Sequence, residues 1–197
     1  MSKKDRFIKR IFDFTLALIG LILTWPIILI AWIIASIETK SNGFFLQKRV
    51  GENGKLFTII KIKTMYPDKK GTSITTANDS RITKSGKFFR KYKIDELPQL
   101  INVLKGDMSF VGPRPDVPGY ADRLKGEDRI ILSIKPGITG PATLKYKNEE
   151  EILANVEDPI KYNDEIIWPD KVKINKEYIK NWSLKKDIEY IIKTIKG

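Results

Sequence analysis

The stretch Phe14–Ile37, FTLALIGLILTWPIILIAWIIASI, carries no charged side chain, and its reading decides what fold the other residues can build around it. At 1.5 Å per residue a helix of this length reaches about 36 Å, enough to cross a hydrocarbon core of about 30 Å. Lys3, Lys4, Arg6, Lys9 and Arg10 precede it. A secretory signal would pair such a start with a shorter apolar core and a small-residue cleavage site, whereas here Trp32, Ile33 and Ile34 occupy the far end. The stretch therefore reads as a membrane element. Pro26, beside Trp25, removes a helix hydrogen bond near the middle and favours a sharp kink. Lys40, Lys48, Arg49, Lys55, Lys61 and Lys63 follow the stretch, so both flanks are basic. That charge prefers neither orientation, and it is satisfied if both ends stay in the cytoplasm. Two arrangements accommodate the proline. One is a kinked transmembrane helix; the other breaks at Pro26, dips into the membrane and returns, with Thr24 or Thr15 hydroxyls serving the freed backbone groups. Asp13 would then lie at headgroup level.

The whole chain has 197 residues, enough for one compact domain with a proper core and too few for two comfortable ones. Its net charge of +12 is unevenly spread: residues 141–197 hold eleven basic and eleven acidic side chains, so residues 1–140 carry the entire excess, 25 against 13. That part is expected to meet something anionic, whether headgroups, nucleotide phosphates or nucleic acid. The chain has no cysteine and no histidine. Disulfides, thiolate metal sites and the usual general base are thereby excluded. Catalysis has to rest on carboxylates, lysines, hydroxyls or a metal held by oxygen ligands, which suits magnesium, calcium or manganese rather than zinc.

Beyond the apolar stretch, residues 44–51 and 54–65 read as two strands joined through Glu52-Asn53-Gly54, whose Asn-Gly step signals a β-hairpin. Residues 66–78 are polar, broken by Pro67 and Gly71, and read as a loop. From Asp79 to Lys93 basic residues alternate with Phe88, Phe89 and Tyr92, the pattern of an interfacial helix, a phosphate-binding face or a solvated one. Asp95 and Glu96 then stand side by side ahead of Pro98, which fits a first helical turn, with Gly106 just past the helix end. A carboxylate at a helix start is favoured in its ionised form by the helix dipole, and Asp95 has the common N-cap role open to it as well as a chemical one. Val111 to Tyr120 is rich in proline and glycine and holds Arg114 between Pro113 and Pro115, ready for a phosphate or carboxylate fork or for a structural ion pair. Residues 122–133 and 149–155 read as helices, and 135–141 as a tight turn able to offer N–H groups to an anion. Leu184, Ile188, Ile191, Ile192 and Ile195 mark an amphipathic closing helix that packs on the core or on the membrane surface. Neither a P-loop nor a dinucleotide fingerprint is present.

Read in order, Asp79-Ser80-Arg81-Ile82-Thr83, Asp95-Glu96-Leu97-Pro98-Gln99-Leu100, Asn102-Val103-Leu104-Lys105-Gly106-Asp107-Met108-Ser109 and Val111-Gly112-Pro113-Arg114-Pro115 resemble the bacterial sugar transferases. More narrowly, they resemble the small monotopic phosphoglycosyl transferases that start glycoconjugate assembly. Gln47-Lys48-Arg49-Val50-Gly51, Lys61-Ile62-Lys63-Thr64-Met65, Pro136-Gly137-Ile138-Thr139-Gly140 and Asn181-Trp182-Ser183-Leu184 with Asp187 extend the resemblance over essentially the whole chain. It implies an α+β, membrane-associated fold. A re-entrant, proline-kinked helix at 1–39 would be followed by a compact cytoplasmic catalytic domain at 40–197, with the β-hairpin and several amphipathic interfacial helices. The length corresponds to the catalytic core without the extra transmembrane helices of larger relatives.

The implied reaction moves a sugar-1-phosphate from a UDP-sugar to undecaprenyl phosphate at the cytoplasmic face of the bacterial inner membrane, releasing UMP. The resemblance puts the nucleophile at Asp95, which would form an aspartyl phosphosugar, and the second acid of a dyad at Glu96. It also implies Mg2+ with Asp95 as its protein ligand, phosphate binding by Lys61, Arg90 and Arg114, and the helix break at Pro26. Nucleic acid is not among the implied partners, and a homo-oligomer is compatible with the pattern. Lys63 stands where relatives commonly have arginine, keeping charge but losing the planar fork. Pro141-Ala142-Thr143-Leu144 and the stretch from Lys145 to Asp170 also depart from the family pattern, and point to a sugar pocket of the chain's own. Two other readings remain to be separated from this one. A glycosyl transferase that releases UDP has no motif behind it, and a non-catalytic basic membrane protein leaves the Asp95-Glu96 pair among cations unexplained.

Overall fold

The computed structural model describes residues 1–66 and 79–196 and has a mixed helix-and-strand fold. It opens with α1 (Lys3–Thr39), a helix of 37 residues started by a reciprocal cap in which Ser2 and Asp5 bond each other's backbone N–H. The helix passes through Pro26 without interruption. The Thr24 hydroxyl donates to the Gly20 carbonyl at 2.7 Å, so it serves the turn before the carbonyl of Ile22, the one the proline leaves without its usual donor. An 18-residue window of α1 has a mean hydropathy of 2.5 and only 17% of it is buried, which makes it long and apolar enough to cross a membrane and is consistent with membrane association.

The hairpin forms as expected, in slightly shorter strands. β1 (Phe44–Val50) pairs antiparallel with β2 (Leu56–Ile62), Phe44 opposite Ile62 and Val50 opposite Leu56. Asn53 and Gly54 take left-handed φ of 57° and 76°, the conformation the Asn-Gly step is suited to. The loop expected over 66–78 falls, beyond Tyr66, outside the described residues.

Helix α2 (Lys84–Lys91) is capped twice, by the Thr83 hydroxyl on the Gly86 N–H and by Glu38 of α1, whose carboxylate accepts from the Lys84 N–H at 2.9 Å. Helix α3 (Gln99–Lys105) ends at Gly106, which adopts a left-handed φ of 89°. β3 (Ser109–Val111) and β4 (Gly137–Thr139) pair in parallel, so the segment read as an anion-binding turn is a strand with its backbone engaged. The Gly137 N–H donates to the Pro113 carbonyl, and a Cβ on Gly137 would fall 2.2 Å from the Gly112 nitrogen. The expected helix at 122–133 is instead two stretches of 3₁₀ turn, Ala121–Arg123 and Gly126–Ser133, divided where Gly126 turns left-handed. Four short or medium helices follow, α4 (Pro141–Lys145), α5 (Glu149–Ala154), α6 (Pro159–Tyr162) and α7 (Trp168–Lys180), and α8 (Leu184–Lys196) closes the described chain. Along α8, Ile191 packs on the core while Ile188, Ile192 and Ile195 stay exposed.

α1 is a core helix as well as an apolar one. Ala17 packs with Phe57, Leu100 and Val103, while Ile28, Ala31 and Ala35 pack with Ile62 and Phe89. A separate core lies between β3 and α7, built on Val111, Ile131, Val172 and Ile179. Part of the basic start of α1 turns out to be engaged by the protein itself, while Lys3 and Lys4 stay exposed. Arg6 pairs with Glu52, and Arg10 donates to the Val103 and Leu104 carbonyls at the end of α3. Lys9 is buried, 2.5 Å from the fully buried Asp187, whose carboxylate also accepts from Tyr178 and Trp182. Asp13 does not face headgroups: it is buried and accepts from the Phe110 N–H.

A buried pair that loses one partner leaves an uncompensated charge, which typically costs about 3–5 kcal/mol. Asp187→Leu should therefore lower the thermal midpoint in detergent sharply, and adding Lys9→Met should restore much of the loss. A double variant no better than the single one would show that the carboxylate matters chiefly to Tyr178 and Trp182.

Candidate active site

Three elements meeting over α1 create the site. Lys61 comes from β2, the acidic pair from a single 3₁₀ turn, Ile94–Glu96, and Arg114 from the segment after β3. The chain enters that turn through Lys93, a non-glycine residue held at a left-handed φ of 56°. Helix α3 starts only after Pro98 and has no side-chain cap, so Asp95 does not serve as its N-cap. The fully buried Asn102 of α3 fixes the turn's distance from the sheet, accepting from the Ile60 N–H and donating to the Thr58 carbonyl.

Asp95 and Glu96 are adjacent in sequence and opposite in circumstance. The Lys61 ammonium lies 2.8 Å from a Glu96 oxygen, and an Arg114 nitrogen lies 3.6 Å from the same atom. Burial works to raise the Glu96 carboxyl, but Lys61 and Arg114 outweigh it and hold it down to about 2. Asp95 is 9% exposed, and its Oδ1 is buried with no hydrogen-bond partner among the described residues. Burial, aided by the neighbouring Glu96 charge, pushes the Asp95 carboxyl up to about 6 against the pull of Lys61, Lys93 and Arg90. Burial likewise lowers Lys61, with Glu96 opposing it. Glu96 is thus a fixed anion that organises cations, and Asp95 is a carboxylate with an oxygen to give. Environments that drive two neighbouring acids apart in this way are a frequent mark of acid, base and nucleophile assignments.

The expected residues are placed as follows. Asp95, Glu96, Lys61 and Arg114 form one charge cluster. Arg90 flanks it, with Nε donating to the Thr64 hydroxyl at 3.1 Å. Pro26 is exposed on α1. The reading of the chain assigned no role to a second group beyond Arg114: Arg49 at the end of β1, Asp116, Lys171 and Glu149. Lys171 bonds both Glu149 oxygens at 2.7 Å, and its ammonium stands 5.6 Å from the centre of the Tyr146 ring. This brings the segment from Lys145 to Asp170 up to the cluster. The signals available in the sequence were Arg49 inside a family motif and Asp116 directly after Pro115; Lys171 and Glu149 gave none.

An acidic pair enclosed among cations, beside a long apolar helix, is consistent with the active site of a membrane-associated enzyme. The chain matches the family described as bacterial sugar transferase over residues 4–197, and it belongs to that family and is a transferase. It is similar to the uncharacterized sugar transferase EpsL of Bacillus subtilis (strain 168), 35% identical over 96% of this chain and 86% of that protein. It is also similar to the undecaprenyl-phosphate galactose phosphotransferase of Salmonella typhimurium, 32% identical over 99% of this chain and 41% of that one. The UDP-glucose:undecaprenyl-phosphate glucose-1-phosphate transferase of Caulobacter vibrioides is 31% identical over 95% of this chain and 68% of its own length. The chain therefore spans less than half of some relatives it matches and most of others.

The split between the two acids is directly measurable. With labelled carboxyl carbons and no substrate or metal, Asp95 should titrate near pH 6 and Glu96 near pH 2. Lys61→Met should move Glu96 upward by a unit or more, since a nearby opposite charge typically accounts for about 1–3 units.

Proposed function

We propose that this transferase is a phosphoglycosyl transferase that moves a sugar-1-phosphate from a UDP-sugar to undecaprenyl phosphate and releases UMP. The unpartnered, buried Oδ1 of Asp95 beside a salt-bridged Glu96 carries the reading. In the first step an Asp95 oxygen bonds to the sugar-linked phosphorus. The bond from that phosphorus to the bridging oxygen breaks, and its electron pair leaves with UMP. In the second step an oxygen of the lipid phosphate bonds to the same phosphorus and the aspartyl carboxylate is regenerated. Dividing the transfer makes each step a displacement at one phosphorus with a good leaving group. Lys61 and Arg114 hold phosphoryl oxygens against the carboxylates, Arg90 supports them from the flank, and Glu96 keeps Lys61 and Arg114 in place.

Mg2+ fits the Asp95 carboxylate as a protein ligand, because this ion typically takes one or two carboxylates and leaves its other positions to substrate phosphates and water. When bound, it would neutralise charge on the diphosphate. Asp95 and the donor would hold it.

The anchor follows from the same reading. Arg6, Lys9 and Arg10 near one end of α1 and Glu38 near the other bond to the same polar domain, which supports a helix entering and leaving on one face rather than spanning. A bend at Pro26 within the unbroken helix, in place of the expected break, and a cytoplasmic position for the domain at the inner membrane belong to this proposal, as does the division at residue 39. α2 presents Phe88 with Lys84, Lys87 and Lys91, and Tyr92 follows at its end, all exposed, while α8 presents Ile188, Ile192 and Ile195. These faces suit the interface where a lipid phosphate lies.

Nucleotide release tests the proposal. In nanodiscs with undecaprenyl phosphate and Mg2+, a panel of UDP-sugars should give lipid-dependent UMP. Asp95→Asn should lower turnover by about 10³-fold or more while the protein stays folded and membrane-bound, as expected for loss of a nucleophile. UDP in place of UMP would make the chain a glycosyl transferase, and full activity without the carboxylate would remove the covalent step.

A further inference from the structure

Arg49 is a part-buried cation whose charge the described residues do not fully engage. Its Nε is buried without a hydrogen-bond partner, and its hydrogen bond among the described residues runs from Nη1 to the Pro115 carbonyl at 3.2 Å. The nearest charges are those of Arg114, which is of like sign, and Asp116. Burial lowers the Arg49 guanidinium, and the Arg114 charge adds to that effect. Asp116 is a poor counter-ion: burial pushes its carboxyl up to about 6 even with Lys171, Arg49 and Arg114 drawing it down. Two guanidiniums held together, one with an orphaned N–H, are costly unless an anion completes them.

The order of the charges says where that anion belongs. The Arg114 guanidinium reaches towards the acidic turn, 3.6 Å from Glu96, whereas Arg49 meets the backbone end of the same segment, donating to the carbonyl of Pro115, the residue after Arg114. Arg49 therefore lies beyond Arg114 as seen from Asp95. A donor whose sugar-linked phosphate is at Asp95 carries its second phosphate one bridging oxygen further on. We propose that Arg49 binds this nucleotide-side phosphate, which becomes the phosphate of the departing UMP, across Arg114 from the nucleophile. This rests on the reaction proposed above. As the phosphorus at Asp95 gains its new bond, the electron pair of the breaking bond collects on the phosphate at Arg49. A planar fork with a free Nε–H suits that oxygen, and the ammonium of a lysine does so less well.

The test is equilibrium binding of radiolabelled UMP to the full chain in nanodiscs without added metal, with uridine as competitor. Arg49→Met should weaken UMP by roughly tenfold or more, since hydrogen bonds to charged groups carry that much, while leaving the affinity for uridine unchanged. Arg49→Lys should recover part of the loss, and it carries the test on the same UMP-to-uridine ratio if the methionine variant fails to fold. The alternative is that Arg49 acts only by holding the Pro113–Pro115 segment that presents Arg114. In that case Arg49→Met would cost nothing further in an Arg114→Met background, whereas direct contact predicts a further loss there. Unchanged UMP affinity in the single variants, or no further loss in the double one, overturns the proposal and leaves the transferase reading intact. A wild-type protein that binds neither UMP nor any UDP-sugar overturns both.

Discussion

One helix has to satisfy two solvents. The residues of α1 that the protein covers form a single stripe, Lys9, Asp13, Ala17, Ile28, Ala31, Ala35 and Thr39, mostly three or four positions apart. Most are small, so β2, α2 and α3 approach the helix closely; at Gly20 a Cβ would already stand 3.2 Å from Leu100. The remaining faces carry Ile22, Leu23, Ile30 and Ile37, each more than half exposed. The elements bearing Lys61, Arg90 and the acidic turn all lean on that stripe, so the position of the site relative to the apolar surface is built into the packing of one helix.

The charge cluster is a contest between desolvation and Coulomb attraction, decided differently at two consecutive residues. Glu96 has Lys61 within bonding distance and Arg114 just beyond, and attraction wins. Asp95 is the more enclosed of the two but makes no such contact through Oδ1, and burial wins. A 3₁₀ turn produces this divergence because successive side chains point about 120° apart, sending one carboxylate to the cations and leaving the other between them.

Features resting on local chemistry were legible in the sequence. Asn53-Gly54 gave the hairpin, Gly106 ended α3, and the charge-free run gave the apolar helix. Features resting on distant partners were not. The parallel β3–β4 pair joins residues 109–111 to 137–139, and its glycines read equally well as a turn. Residues 122–133 read as a helix, but that reading says nothing of the left-handed Gly126 at which the second 3₁₀ stretch starts. Asp95 as cap or as free carboxylate could not be separated by spacing either, because the distinction is where α3 starts relative to Pro98. The four members of the Asp95 cluster were named through family motifs; Lys171 and Glu149 reach it from a stretch where those motifs lapse, and only the folded chain brings them there.

Net charge, by contrast, gave a magnitude without a location. The excess lies in residues 1–140, yet Lys9, Arg10, Lys61 and Arg49 of that part are turned inward on carboxylates or carbonyls, and the exposed Arg6 is held on Glu52. A buried ion pair such as Lys9–Asp187 is weak support for stability, since desolvating both groups offsets much of their attraction. It is strong on placement, because a mismatched register would strand two charges in the core. With Tyr178 and Trp182 on the same carboxylate, that pair fixes α1 against α7 and α8 near the end where Arg10 holds the carbonyls of α3. The inward cations thus serve to lock the apolar helix to the polar domain at one setting. The cations left exposed, Lys84, Lys87 and Lys91 among them, are the ones whose charge can reach an anionic surface.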